Sequence, residues 1–328
     1  MVLVDRFGRP IVGARISLNS SFHCNFKCIF CHREGIFKGS QIMTADEIER
    51  VVSILHKLGV KYIKLTGGEP LLRKDIIEIV RRIKSIGIDE ISITTNGTEL
   101  DILAHKLRDA GLNRINISIH SLKRWKFYLI TGVDMLERVK KGIEESIDAG
   151  LYPVKLNFVI LKDLNDGEIS DLIEYSYKLG GGDTNIIQLI ELININPKFY
   201  RAYHRPLDDI EEWIRKKAVS MRRRRLHNRP QYTLDNGVIV EFVKPMYNPT
   251  FCMGNDRIRI TYDGKFKPCL LRSDNHVDFL KVMRNGGGDS EIIDRFIEAV
   301  NRREPFFKQE FDKSFNIGSY IDYLVCPI

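Results

Sequence analysis

Cys24-Asn25-Phe26-Lys27-Cys28-Ile29-Phe30-Cys31 places three thiols within eight residues, in a CxxxCxxC spacing. Thiolates are soft ligands, suited to zinc or to the iron of iron–sulfur clusters. One compact loop can turn all three sulfurs toward a single centre. Three sulfurs can hold three irons of a four-iron cluster and leave the fourth open for an external ligand. A closed structural zinc site asks for a fourth protein ligand. His23 and His32 flank the loop, so zinc stays open on this segment alone, as do plain buried thiols.

Outward from the loop, the chain alternates. Ala14-Arg15-Ile16-Ser17-Leu18-Asn19 reads as a strand leading straight into the cysteines. Thr44-Ala45-Asp46-Glu47 reads as a helix start, with an N-cap and acidic residues in the first turn. Ile48, Val51, Val52, Leu55 and Leu58 follow at helical spacing up to Gly59. Further strands are expected at 62–66, 90–94, 114–119, 154–160 and 186–192. Helices are expected near 75–86, 100–110, 135–149 (stripe Met135, Val139, Ile143, Ile147) and 168–179, with Gly87, Gly111, Gly150 and Gly180 at their ends. Six βα units in a row argue for an α/β fold with a parallel sheet and outer helices. Six is fewer than the eight of a closed barrel, so the expected architecture is a partial (β/α)6 barrel over residues 1–195.

From 196 to 328 the rhythm fails, and this part is expected to form a C-terminal extension over the barrel mouth. A short helix is expected at 207–221. A hairpin is expected at 251–271, where Asp263-Gly264 is a type I′ turn signal. Gly286-Gly287-Gly288 reads as a loop, and a helix is expected around 290–302.

The chain has 328 residues, 43% apolar and 29% charged, as in an ordinary globular protein. No apolar run approaches membrane-spanning length. The first residues show no secretory h-region, and six cysteines are too few for a disulfide scaffold, so a reducing cytoplasm is the expected setting. Net charge is +8, which favours anionic partners. The run Arg222-Arg223-Arg224-Arg225, with Arg229, lacks interleaved aromatics and reads first as a solvated helix end or loop.

Active sites of βα barrels gather at strand C-termini. Thr66-Gly67-Gly68-Glu69-Pro70 falls there. Its glycines permit close backbone approach to a ligand, and Glu69 can order a bound amine. Thr94-Thr95-Asn96-Gly97, Ser118-Ile119-His120-Ser121 and Lys155-Leu156-Asn157 fall at or along later strands. His120 reads as a core or supporting histidine rather than a metal ligand. Arg257 and Arg259 lie two apart on a strand and so share a face.

The cysteine loop, with aromatic Phe30 before its last thiol, resembles the signature of radical S-adenosylmethionine (SAM) enzymes. Over residues 4–280 the chain resembles the GTP 3′,8-cyclase family of molybdenum cofactor biosynthesis. The resemblance runs through Asp5-Arg6-Phe7-Gly8-Arg9-Pro10, Arg15-Ile16-Ser17, residues 65–73, Thr94-Thr95-Asn96-Gly97, Asn116-Ile117-Ser118, Lys155-Leu156-Asn157, residues 161–166, Ile190-Glu191, and the segment from Asp256-Arg257-Ile258-Arg259 to Lys267-Pro268-Cys269. It implies that Cys24, Cys28 and Cys31 hold a [4Fe-4S] cluster whose open iron takes SAM. Phe30, Gly68, Glu69, Ser118 and Ile193 would meet that cofactor. Arg15, Lys64, Thr95, Lys155, Arg257 and Arg259 would face GTP, chiefly its triphosphate, for which arginine forks are well shaped. A 5′-deoxyadenosyl radical would then take hydrogen from the ribose C3′, and the sugar radical would attack C8 of guanine.

The resemblance also implies a second [4Fe-4S] cluster, in a CxxC…C pattern. Cys252 and Cys269 fit it, but Asn255 holds the middle position, and an amide is a poor iron ligand beside a thiolate. Cys326 folding back, a non-cysteine ligand or water, and a weak or missing cluster all remain open. Gln188 and Ile193 stand where bacterial members carry arginine and methionine, and the chain ends Leu324-Val325-Cys326-Pro327-Ile328 rather than in the family's Gly-Gly tail. Implied partners are GTP, a downstream cyclic pyranopterin monophosphate synthase and an unknown reductant, with a homodimer allowed and neither membrane nor nucleic acid expected. The competing readings are another radical SAM enzyme acting on peptide or RNA, and a zinc-stabilised nucleic-acid-binding module.

Overall fold

The structure, a computed structural model, describes residues 2–20, 22–36 and 41–305; Cys326 lies outside them. The first strands are β1 (Gly13–Ser17), β2 (Tyr62–Thr66), β3 (Glu90–Thr95), β4 (Arg114–Ser118), β5 (Val154–Val159) and β6 (Asn185–Ile190). Between them run α1 (Ala45–Lys57), α2 (Ile76–Ser85), α3 (Leu100–Asp109), α4 (Arg124–Thr131), α5 (Leu136–Asp148) and α6 (Ile169–Lys178). The α1 start is a full capping box: Thr44 Oγ1 accepts from Glu47 N–H, and the Glu47 carboxylate accepts from Thr44 N–H.

Helix α5 differs from its expected stripe. Met135 caps it and Ile147 is only partly buried, while Leu136, Val139, Gly142, Ile143 and Ser146 face inward. The reason is close packing on the Gly97 turn. A Cβ at residue 142 would lie 2.4 Å from Gly97 O, so small residues take the contact that a larger apolar stripe would occupy.

The sheet does not stop at residue 195. The later strands are β7 (Ala218–Arg223), β8 (Pro230–Leu234), β9 (Ile239–Val243), β10 (Arg257–Ile260), β11 (Lys265–Lys267) and β12 (Val277–Asp278). Their order is β12-β11-β10-β1-β2-β3-β4-β5-β6-β9-β8-β7, twelve strands in one open sheet. Strands β10 and β9 pair in parallel with β1 and β6, so the later part of the chain widens the parallel sheet at both flanks. The β10–β11 hairpin forms as expected, with Ile260 opposite Phe266. Its turn is longer than type I′: Gly264 alone of the Asp263-Gly264 pair has positive φ (+73°), and Thr261 N–H donates to Lys265 O.

Two shorter helices, α7 (Pro197–Tyr203) and α8 (Asp208–Lys217), precede β7. The helix expected at 207–221 therefore ends at Lys217. Beyond it the chain pairs with β8 as an exposed edge strand, where Arg222 and Arg223 discourage edge-to-edge association. Helix α9 (Pro249–Met253) carries Cys252; α10 (Leu280–Arg284) and α11 (Asp289–Asn301) follow β12. The triple glycine is the entry to α11, where Gly288 N–H donates to Glu291. No helix among the described residues is long and apolar enough to cross a membrane.

Candidate active site

One cavity of about 420 Å³ opens at the strand C-termini, and the cofactor, substrate and cysteine residues expected above, Cys326 apart, line it. That volume suits a cofactor and a nucleotide-sized ligand. The cysteine loop is tied to α4, an element that the sequence reading leaves unassigned. Lys27 N–H donates to Thr131 O (2.8 Å) and Ile29 N–H to Ile130 O (3.0 Å), while Phe26 packs edge-on against Phe127. Phe30 meets His120 edge-on at 4.7 Å. His120 is buried and held neutral by that burial, its pKa lowered to about 3; its Nδ1 accepts from Val159 N–H. It supports the loop from within the core.

The thiols are not gathered as zinc ligands. A tetrahedral ion with Zn–S near 2.3 Å draws its sulfurs to about 3.8 Å from one another. Among the described residues, the one group of three Cys, His, Asp or Glu ligand atoms within 4.8 Å of one another is His105, Glu145 and Asp148 on the outer helices, and it contains no cysteine. Burial raises the Cys24 thiol to about 11 and also pushes Cys28 up, and neighbouring negative charge on the other sulfurs adds to both rises. A cationic iron group would reverse that repulsion. Cys31 is the exposed member.

Gly67 and Gly68 lock this loop to β2. The close approach at Gly68 is to the protein's own backbone: a Cβ there would stand 2.2 Å from His23 O and 2.4 Å from Ser20 O. Glu69 N–H donates to the same His23 carbonyl at 2.8 Å. Gly68→Ala should therefore displace the cysteine loop, and in a Cys252→Ala, Cys269→Ala background the iron retained after anaerobic reconstitution should fall at least threefold. Unaltered iron content in a folded variant would refute this account of Gly68.

Glu69 is fully buried. Its carboxylate accepts from Thr95 Oγ1 (2.6 Å), Asn96 N–H (2.7 Å) and Leu71 N–H (3.0 Å). Burial raises it to about 7 against those three donors. Thr95 thus commits its hydroxyl to Glu69 and accepts from Gly97 N–H; it positions the carboxylate. Ser118, at the end of β4, and Ile193 line the same cavity.

Across the sheet, register builds a cationic row. Arg259, Arg15 and Lys64 are neighbours on β10, β1 and β2. Gly13 leaves the room Arg257 needs, since a Cβ there would meet Arg257 Cγ at 3.0 Å. The side chains that organise this row were not singled out from sequence. Glu34 accepts from Arg15 (2.6 Å) and Arg259 (2.7 Å), bridging the two guanidinium groups. Burial would raise its carboxyl, but the arginines hold it at about 2. Its positive φ (+51°) is the local cost of that placement. Glu241 is a second hub: it accepts from Lys155 (2.6 Å), Arg229 (2.8 Å) and Gln188 (2.5 Å), and also contacts Arg224 and Gln231. Arg224 and Arg229 therefore turn inward, unlike a wholly solvated run. No motif flags Glu34 or Glu241, because each works through contacts made far along the chain.

The row remains short of negative charge. Among the described residues, nine Lys and Arg side chains line the cavity against four Glu. Lys64 is buried with Asn116 Oδ1 (2.8 Å) as its hydrogen-bond partner; burial, then Arg114, Arg257, Arg15 and Lys155, push it well below the usual lysine range. Arg15 Nε is buried without a partner. Arg257 reaches Asp256 at 4.0 Å and is pushed down to about 9 by burial and neighbouring arginines. The arrangement calls for a polyanion. The opening segment supports the same wall: buried Asp5 pairs with Arg9 and Arg303, and Arg9 Nη1 donates to Cys252 O.

The fold and the thiol loop define a radical SAM protein: residues 18–176 match the Radical SAM superfamily, and residues 185–309 match Molybdenum Cofactor Synthesis C. Among solved structures, the chain resembles anSMEcpe with bound AdoMet (TM-score 0.59, 16% identity, 83% of this chain and 78% of that one) and Streptococcus suis SuiB bound to precursor peptide SuiA (0.60, 14%, 81% and 61%), likenesses that show the fold alone. Three archaeal relatives are named "Probable GTP 3′,8-cyclase". The Thermococcus kodakarensis protein is 49% identical, covering 94% of this chain and 100% of its own. Those of Pyrococcus abyssi (47%; 93% and 100%) and Saccharolobus solfataricus (46%; 93% and 99%) follow. The chain belongs to the GTP 3′,8-cyclase family.

Proposed function

We propose that this protein is a cytoplasmic GTP 3′,8-cyclase of molybdenum cofactor biosynthesis, forming (8S)-3′,8-cyclo-7,8-dihydroguanosine 5′-triphosphate. The observation that carries the reading is the under-neutralised row Arg15, Lys64, Arg257 and Arg259 lining the same cavity as the thiol trio. Cys24, Cys28 and Cys31 would hold a [4Fe-4S] cluster; three thiolates on one cavity wall serve three irons and leave the fourth for SAM. When bound, cluster and SAM supply one-electron cleavage of SAM and the hydrogen-abstracting radical.

The protein's own part is positioning. Glu69, held by three donors, presents a carboxylate for the SAM ammonium, beside Phe30, Gly68, Ser118 and Ile193. The cationic row grips the triphosphate, with Glu34 setting the angle between Arg15 and Arg259. Lys155 is steered by Glu241, and Thr95 holds Glu69. Cys252 and Cys269 would form a second cluster site near the guanine end. In this reading the barrel comprises residues 1–195 and the remainder completes the mouth. A cyclic pyranopterin monophosphate synthase would consume the product, a reductant protein would deliver the electron, and a homodimer is compatible.

The test is anaerobic reconstitution followed by an assay of 5′-deoxyadenosine with GTP, peptide or RNA. SAM cleavage that depends on GTP supports the reading; cleavage indifferent to GTP, or driven by peptide or RNA, overturns it. Glu69→Gln should weaken SAM binding at least tenfold. Because the Glu69 carboxyl sits near 7, wild-type SAM affinity should rise with pH up to about 7 and then level, as the ionised form attracts the ammonium. Titration calorimetry of the variant should show that slope flattened; an unchanged slope would assign it elsewhere.

A further inference from the structure

Cys252, on α9, and Cys269, just after β11, line the cavity together, and two thiols are an incomplete set for a cluster. Asn255 is already engaged. Its Oδ1 accepts from Arg257 N–H (3.1 Å), its carbonyl accepts from Arg303 Nη2 (2.6 Å), and its side chain hydrogen-bonds the His227 imidazole. His227 lines the same cavity, and the fold constrains it from several sides. Its backbone is left-handed (φ +60°, ψ 15°), a conformation uncommon outside glycine. Its N–H donates to Gly254 O at 2.6 Å, and its ring stacks on Phe251 at 4.0 Å and 16°. A Cβ at Gly254 would lie 2.9 Å from His227 Cα, so the glycine is what lets this histidine approach the Cys252 loop. Strain maintained by so many contacts marks a placed side chain.

We propose that His227 is the third protein ligand of the iron–sulfur cluster held by Cys252 and Cys269, and that Asn255 is a positioning residue for the imidazole. The inference rests on the reading of a second cluster given above. Imidazole suits iron, and histidine replaces cysteine on one iron of Rieske centres, where it raises the reduction potential. Ligating histidines have their other ring nitrogen oriented by a neighbouring group, a role the Asn255 side chain is placed to take. Asn255 then acts on the iron through His227 instead of binding it.

The full chain carrying Cys24→Ala, Cys28→Ala and Cys31→Ala isolates the second site. It is reconstituted anaerobically without GTP, from cells fed 15N-histidine or ordinary histidine, then reduced. Iron analysis and pulsed EPR are the readouts. About four irons per chain and a strong nitrogen coupling that changes with the histidine isotope are expected. His227→Ala should lose that coupling and at least half the iron, with circular dichroism confirming a folded chain. His227→Cys should keep the iron, lose the coupling and shift the midpoint potential downward. Full iron without histidine coupling overturns the proposal, as does coupling that survives His227→Ala, or iron that is lost in Cys326→Ser but kept in His227→Ala. Less than one iron per chain with His227 intact overturns the second-cluster reading itself, a distinct result.

Discussion

Glu241→Ala should lower unfolding stability by about 3–5 kcal/mol, the cost of leaving buried cations without their counter-charge. Glu241 is fully buried and holds Lys155, Arg229 and Gln188 directly. Burial alone would raise its carboxyl; Lys155, Arg229 and Arg224 outweigh it and hold the group well below the usual carboxylate range. A carboxyl depressed on folding contributes stability above its unfolded value of about 4.3, and that contribution is lost as pH falls toward the folded value. Urea unfolding of wild type should therefore weaken steadily below about pH 5, and the variant should show a lower midpoint at pH 7 with a flatter acid limb. Identical midpoints would mean that Glu241 does not hold this wall together.

Lys64→Met should weaken GTP binding about 100-fold while leaving SAM binding within about twofold, the scale expected for truncating one partner of a buried charge contact. The same change should raise the stability of the ligand-free protein, because it removes a buried amine that lacks a carboxylate and whose charged form burial and neighbouring cations disfavour. Opposite signs on stability and GTP affinity separate a binding role from general damage. Phosphate favours the charged lysine that burial disfavours, so GTP binding should take up protons and weaken as pH rises, and calorimetry in buffers of different ionisation enthalpy should find that uptake lost in the variant. Equal GTP affinity in wild type and variant would remove Lys64 from the triphosphate site.

Local signals carried far in this chain. The 2.0 and 3.6 residue periods placed β1–β6 and five of the six intervening helices within one or two residues, because each compact element records its buried face in its own sequence. Helix α4 escaped because its amphipathicity is weak: Trp125, Tyr128 and Leu129 are exposed, and it is fixed instead by Phe127 and by carbonyls that receive the cysteine loop. The arginine run escaped for a related reason. Arg222 and Arg223 stay on the edge strand while Arg224 and Arg229 turn to a glutamate, a difference set by strand pairing.

The sequence by itself determined the thiol loop, the glycine turn and the strand positions of Arg15, Lys64, Lys155, Arg257 and Arg259, since spacing along one strand or loop decides which side chains share a face. Only the tertiary structure decided that β9 and β10 flank the barrel strands, that Glu34 and Glu241 sit among the cations, and that His227 reaches the Cys252 loop. Those are meetings between residues distant along the chain, and their energy comes from burial and charge pairing that no local period encodes.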